Sequence, residues 1–292
     1  MLRHNTGYSE FFSHTRASTI PCIFPNPVSL QANPTGVPKI SAVIITQNEE
    51  KNIGRCLDSL QGIADEILVV DSFSTDGTGA ICKTKGAHFL QHIFEGHIQQ
   101  KNYAASMAQH NHVLSLDADE ALSEKLKQSI LSAKENWDKD GYFMNRFSNY
   151  CGQWIRRCGW YPDRKLRLFD RRKGIWGGIN PHDKYEMTDG SSTGFLEGDL
   201  LHYTYYSVEE HLLQADKFSS IAAAELARCG AHSSWPLIIV KPIAKFIRNY
   251  IIKLGFLDGY YGFVICKISA WETYLKYFKL KKILAGKDIK RT

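Results

Sequence analysis

With 292 residues, 43% of them hydrophobic and 23% charged, the chain has the composition of a globular protein with a sizeable core, which excludes a disordered polymer. Its seven cysteines, at 22, 56, 82, 151, 158, 229 and 266, are an odd set without a C-x-x-C pair; this argues against a disulfide framework or a zinc ribbon and fits reduced thiols in the cytosol. The net charge of +6 is a property of the C-terminal end: from Lys241 onward twelve Lys or Arg face three acids, giving +9 there and −3 in the first 240 residues.

Residues 1–38 lack an apolar core of signal-peptide length and are broken by Pro21, Pro25, Pro27, Pro34 and Pro38, so a poorly ordered extension is expected. "ISAVIIT" (40–46) is a continuous, β-branched apolar run, the pattern of a strand covered on both faces. Ile53, Leu57 and Leu60 then recur at helical spacing. "EILVVD" (66–71) is a second strand, followed by the turn-rich "SFSTDGT" and a short helix through Cys82 to Lys85. "AHFLQH" is a weaker third strand, "IQQKNYAASMA" a helix and "HVLSL" a fourth strand. Strands alternating with helices predict an α/β fold with a mainly parallel sheet and right-handed crossovers.

Ligands of such sheets gather beyond the carboxyl ends of the strands. Polar groups fall at three of those ends: Thr46, Asn48 and Glu49 after the first strand, Asp71 after the second, and Asp117 and Asp119 after the fourth. Each has a plainer reading, since Asn48 or Glu49 can cap a helix and Asp71, with Ser74 and Asp76, can serve turn chemistry. In "HVLSLDADEAL" an extended chain would turn Asp117 and Asp119 to one side, with Glu120 adjacent. Like charges so placed repel, and a divalent cation is the expected neutraliser.

Further on, "WIRRCGWYPDRKLRLFDRRK" sets Arg156, Arg157, Arg164 and Arg167 among Trp154, Trp160 and Tyr161. Guanidinium groups grip phosphates and aromatic faces stack on sugars, so a phosphorylated saccharide suits the segment; a solvated hairpin is the plainer alternative. Nucleic acid is not expected, because the acids near Asp117 leave no continuous basic groove. In "KPIAKFIRNYIIKL", Ile243, Phe246, Ile247, Tyr250, Ile251 and Leu254 share one helical face, with Lys241, Lys245 and Arg248 on another. Such a helix can lie on an anionic membrane, cover the protein's own core or form a homodimer interface. The same cations interrupt "WPLIIVKPIAKFIRNYIIKLGF" too often for a transmembrane span.

The order "VIITQNEEKNIGRCLDSL", "EILVVDSFSTDGT", "QQKNYAASMAQHNHVLSLDADE" closely resembles the family 2 glycosyltransferases with the GT-A fold. "GWYPDRKLRLFDRRKG", "PHDKYE", "HYTYYSVEEHLLQADKFSSIAA" and the C-terminal "IIKLGFLDGYYGFVICKISAWETYLKYFKL" are similar to the bacterial branch that adds a sugar, typically glucose, to the inner-core heptose of lipopolysaccharide. The likeness runs from about Lys39 to about Leu280. It implies a Rossmann-like α/β fold with helices on both sheet faces: a catalytic domain over 39–200, with a nucleotide-sugar half to about 120 and an acceptor half beyond, then a basic helical region over 201–292.

For the site, the resemblance implies Asp117 and Asp119 holding Mg²⁺ or Mn²⁺ against the diphosphate of a UDP-sugar, with His202 as a third metal ligand. It sets Thr46, Asn48, Glu49 and Asp71 around the nucleotide and Lys101 by the diphosphate. Ser72 and Phe73 stand where the family commonly has a second acid. "PHDKY" matches a V-H-E-K-L-like segment, which makes Asp183 the general base, with Glu186 as the fallback. His182, Trp160, Arg164 and Arg167 then belong to the acceptor side. The implied acceptor is a lipid-linked oligosaccharide, met at the cytoplasmic face of the inner membrane. Three alternatives stand beside this reading: another donor or a polyprenyl-phosphate acceptor, a sugar nucleotidyltransferase, and an inactive membrane-associated binding protein. The nucleotidyltransferase fits poorly, since "TQNEEKN" is acidic and lacks the glycines that hold a triphosphate.

Overall fold

The computed structural model describes residues 36–179 and 182–286, without the side chains of Ile179 and His182. The extension expected over 1–38 therefore lies, up to residue 35, outside the described residues, as do 287–292.

The expected alternation is present. β1 (Ile40–Thr46), α1 (Ile53–Ser59), β2 (Glu66–Asp71), α2 (Thr78–Thr84), β3 (His88–Gln91), α3 (His97–Met107) and β4 (His112–Asp117) follow in order. The strands lie side by side as β3-β2-β1-β4, all parallel. β1 is mainly apolar because both faces are covered, and its buried Ser41 hydroxyl is satisfied by Glu66. Ala42 and Ile44 join Ile53, Leu57 and Leu114 in one core, while Val43 joins Val70, Ala104 and Phe169 in another. Burial of each of the larger of these side chains contributes roughly 1.5–3 kcal/mol.

After β5 (Glu120–Leu122) and α4 (Glu124–Glu135) the sheet becomes mixed. β6 (Gly141–Tyr150) carries the two-residue β7 (Gln153–Trp154), and β8 (Asp163–Asp170) inserts antiparallel between β4 and β6. β9 (Gly174–Ile179) and β10 (His182–Met187) form a separate hairpin. β11 (Thr193–Tyr205) runs parallel to β6 and antiparallel to β5. Between Phe195 and Asp199 its register slips, and Gly198 there has φ 100°. A Cβ on Gly198 would stand 2.4 Å from the Leu126 nitrogen, so only glycine lets the start of α4 pack there. Ser123 joins the two elements, accepting from the N–H of both Leu126 and Asp199.

The C-terminal helices are α5 (Val208–Arg228), α6 (Trp235–Ile247) and α7 (Gly259–Leu284), with a π turn at Arg248–Ile252 and a 3-10 turn at Gly255–Asp258. They enclose a third core with Tyr150, Ile155 and Cys158. His211 is buried there, bonded to the Tyr150 hydroxyl at 3.1 Å and stacked on Tyr205; burial lowers its pKa to about 4. No helix of the described residues is long and apolar enough to cross a membrane.

Candidate active site

The loops after β1 and β2 are laced to each other. Asn48, at φ 56°, donates its N–H to Ser74 Oγ at 2.8 Å and accepts from the Thr75 N–H at 2.8 Å. The Glu49 N–H donates to Thr78 Oγ1 at 2.8 Å. Asp71 is fully buried and accepts from the Ser74 N–H, the Ser74 hydroxyl and Gln91 Nε2. The plainer reading of Asn48 and Asp71 as turn residues is thus realised in geometry, and the same bonds hold both at the strand ends. Thr46 is buried beside them with its hydroxyl unpartnered.

Between these loops, the β4–β5 turn and the end of β11 lies a cleft of about 270 Å³, whose lining includes Asn48, Glu49, Asp76, Asp119, Tyr203 and Tyr206. Arg55 lies 3.6 Å over the Tyr203 ring, and the Tyr206 hydroxyl donates to Asn52 Oδ1. Burial foremost, with added repulsion from Asp119, Asp76 and Asp117, raises the Glu49 pKa from 4.5 to about 7 against an opposing hydrogen bond from Asn52. The folded protein therefore holds a proton there that the unfolded chain loses near pH 4.5, and stability should fall as pH rises from about 4.5 to 7. Thermal melts across that range should show the decline in the parent and not in Glu49→Gln; parallel curves would refute it.

Beside the cleft runs a chain of charges. Lys101, 3% exposed, sits 3.0 Å from Asp117 Oδ1 and 2.7 Å from Asp183 Oδ2, with its ammonium 4.7 Å over the Trp176 ring. Arg167, also 3% exposed, reaches Asp117 and Glu120 at 2.8 Å each. Burial alone would raise the Asp117 pKa, but Lys101 and Arg167 hold it well below the usual carboxylate range. Glu120, fully buried, also accepts from the Asp117 N–H and lies 3.6 Å from Arg146.

These contacts revise the expectation about the three acids. Ala118 and Asp119 form a turn, so strand alternation does not govern Asp119. Protein cations neutralise Asp117 and Glu120. Asp119 instead meets His202, whose Nε2 is 3.1 Å away and whose Nδ1 faces Ser148 Oγ at 3.2 Å. Among the described residues no three His, Cys, Asp or Glu converge closely enough to hold a metal by themselves. As a donor set, the Asp119 carboxylate suits Mg²⁺ or Mn²⁺ and the His202 imidazole favours Mn²⁺ over the harder Mg²⁺, with water and phosphate oxygens to fill the remaining positions. Asp117 does not fit as a third ligand while two cations occupy its carboxylate.

The expected acceptor-side residues do not converge. Register between β6 and β8 skips Arg167, since Tyr142 opposes Leu168 and Phe143 opposes Leu166. That bulge turns the guanidinium inward as a counter-ion, away from an acceptor. Trp160 packs edge-on against Tyr150 in the third core, and Arg164 is exposed over the Phe195 ring. His182 begins β10, and its side chain lies outside the described residues. Glu186 is three residues from Asp183 and so on the other face of β10, paired with Lys184 at 2.9 Å and turned over Gly177. Asp183 is therefore the carboxylate that the hairpin delivers to Lys101.

Trp176, beneath Lys101 and Arg167, is a site residue that the pattern reading missed. Its signal was the run "GIWGG": glycines in a strand mark close approach, and a Cβ on Gly174 would stand 2.5 Å from the Glu186 carbonyl.

The acids and the buried Lys101 thus gather beyond the carboxyl ends of the parallel strands, the place where α/β sheets of this class bind their ligands. Residues 41–187 match the glycosyl transferase family 2 family. The chain belongs to that family and is a glycosyltransferase. An uncharacterized glycosyltransferase of Rickettsia typhi is 32% identical over 255 residues, covering 84% of this chain and 87% of its own. The lipopolysaccharide core biosynthesis glycosyltransferase LpsC of Rhizobium meliloti is 27% identical over 263 residues, covering 82% and 94%. Among solved structures, glucosyl-3-phosphoglycerate synthase from Mycobacterium tuberculosis with Mn²⁺ and UDP-glucose aligns with a TM-score of 0.42 at 19% identity, over 68% of this chain and 81% of that one.

Proposed function

We propose that the chain is an inverting, divalent-metal-dependent hexosyltransferase that moves glucose from UDP-glucose to a heptose of a lipid-linked lipopolysaccharide core at the cytoplasmic face of the inner membrane. The observation that carries this reading is the ion-paired chain Asp183–Lys101–Asp117 beside the acidic cleft. Three residues singled out from separate motifs for base, diphosphate lysine and D-x-D acid meet although Lys101 and Asp183 are 82 positions apart. Likeness to LpsC supports the core-saccharide acceptor.

In this reading the uridine end of the donor enters the cleft between Asn48, Glu49 and Tyr203, and its diphosphate lies toward Asp119 and Lys101. Asp119 and His202 would hold the cation, which when bound offsets the charge of the leaving diphosphate. Asp183 takes the acceptor hydroxyl's proton as the new bond to the anomeric carbon forms and the bond to diphosphate breaks on the opposite side. Arg167 keeps Asp117 ionised and positioned. The catalytic domain, expected over 39–200, extends in this reading to Tyr205, since β11 ends there and carries His202, and the basic helical region follows from Val208.

Calorimetric titration with UDP, GDP, CDP and dTDP, each with and without Mn²⁺, tests donor and metal together. UDP binding that needs Mn²⁺ and falls at least about tenfold in Asp119→Ala is the expected result. Binding indifferent to Mn²⁺ and to Asp119 would refute the metal site, and preference for another nucleotide would refute the uridine donor.

A further inference from the structure

The 23 residues from Trp235 to Leu257 contain four cations, Lys241, Lys245, Arg248 and Lys253, and no acid. An amphipathic helix ordinarily turns its apolar stripe to the core, and α6 does so only in part. Phe246 and Tyr250 pack on the third core, but Ile238 is the only residue that α6 buries fully. Ile239, Ile243, Ile247 and Ile251 recur every fourth position as an outer stripe, each 48–56% exposed. Beyond them Ile252 is 71% and Leu257 58% exposed. A contiguous apolar surface of this kind, edged by charge, marks a contact face.

The face is joined to the arginine-rich loop. Asp258, at the end of the 3-10 turn, accepts the backbone N–H of Arg157 at 2.7 Å and of Arg156 at 3.3 Å, and both arginines are exposed. Lys253 lies against the same loop, where a Cβ on Gly159 would meet its Nζ at 2.6 Å.

We propose that the isoleucine stripe and the 251–257 tip lie in the headgroup interface of an anionic bilayer, with α6 in the membrane plane and Lys241, Arg248 and Arg156 against lipid phosphates. Apolar depth on one side and unopposed cations at the rim are the two terms that hold an interfacial helix. A second copy fits worse, because a two-fold contact would press the exposed Lys241, Arg248 and Lys253 toward those of the other copy with no acid in the stretch. The proposal deepens the lipid-linked acceptor reading, on which it rests for its purpose, since it sets the Arg156–Arg157 loop at headgroup level.

Flotation of the full chain with phosphatidylcholine vesicles, with and without about 30 mol% phosphatidylglycerol, tests it. Binding is expected to the anionic vesicles, weaker by at least about tenfold to neutral ones, and weaker by a similar factor in Ile243→Asp/Ile247→Asp with an unchanged melting temperature. Lys241→Ala/Arg248→Ala, which leaves the stripe intact, should lose the anionic preference. Absent binding, equal binding to both vesicles or indifference to either double variant would overturn the proposal. So would a parent dimer that Ile243→Asp/Ile247→Asp splits without vesicle binding, which would give the face to a second copy. The vesicles hold neither donor nor acceptor. Failed transfer to a lipid-linked heptose with vesicle binding intact would refute the acceptor reading alone.

Discussion

Replacing Asp183 with Asn should lower kcat on the order of 10²–10⁴-fold while leaving nucleotide affinity within about threefold of the parent. The amide keeps the shape of the side chain but cannot take the acceptor proton. Lys101, 2.7 Å from Asp183 Oδ2, keeps its second partner in Asp117, so the diphosphate end of the site should retain its charge. Glu186→Gln should change kcat little, because Glu186 lies on the other face of β10 and pairs with Lys184. Single-turnover kinetics on both variants, with UDP titrations alongside, separate the possibilities. Loss of transfer in Glu186→Gln with activity kept in Asp183→Asn would remove Asp183 from the reaction.

Replacing Arg167 with Met should destabilise the protein by about 3–5 kcal/mol, the usual cost of stranding a buried charge. The guanidinium lies 2.8 Å from both Asp117 and the fully buried Glu120, and Met preserves much of the volume without the charge. The deficit should shrink in acid. Asp117 has a depressed pKa in the folded protein, so its stabilising contribution is full above the unfolded value and is lost as pH falls through the folded one. Urea unfolding at pH 7 and again well below the unfolded value of 3.8 reads both effects. A difference under about 1 kcal/mol at pH 7 would mean that Arg167 is no more than a surface-type pair.

The first two strands were legible because their mainly apolar runs are covered on both faces: "ISAVIIT" and "EILVVD" became β1 and β2 without displacement, whereas the weaker third run gave the largely uncovered β3. Asp119 and His202 were also legible as neighbours, through motif rather than periodicity. Arg167 was not. In "RKLRLFD" it sits in a regular alternation, and the bulge that turns it inward arises from how β8 meets β6, a relation between strands that neither strand records alone. Trp160 was ambiguous for a related reason: an aromatic in a basic segment suits a sugar face or a core equally well, and it lies half-buried against the third core. Glu120 looked like a third unneutralised acid because its counter-ion lies 47 residues away.

The insertion of β8 between β4 and β6 also bears on how the chain emerges from the ribosome. β4 is the last of the four parallel strands, and the neighbour on its open side is made only after Asp163. At about 5–20 residues per second, the interval from Asp117 to Asp163 lasts roughly 2–9 s. Throughout it the nascent N-terminal half presents an uncovered apolar strand edge, the feature that templates mispairing between chains. A chain stopped between β5 and β8 would therefore be a sticky fragment in need of a chaperone, not a small folded nucleotide-binding unit.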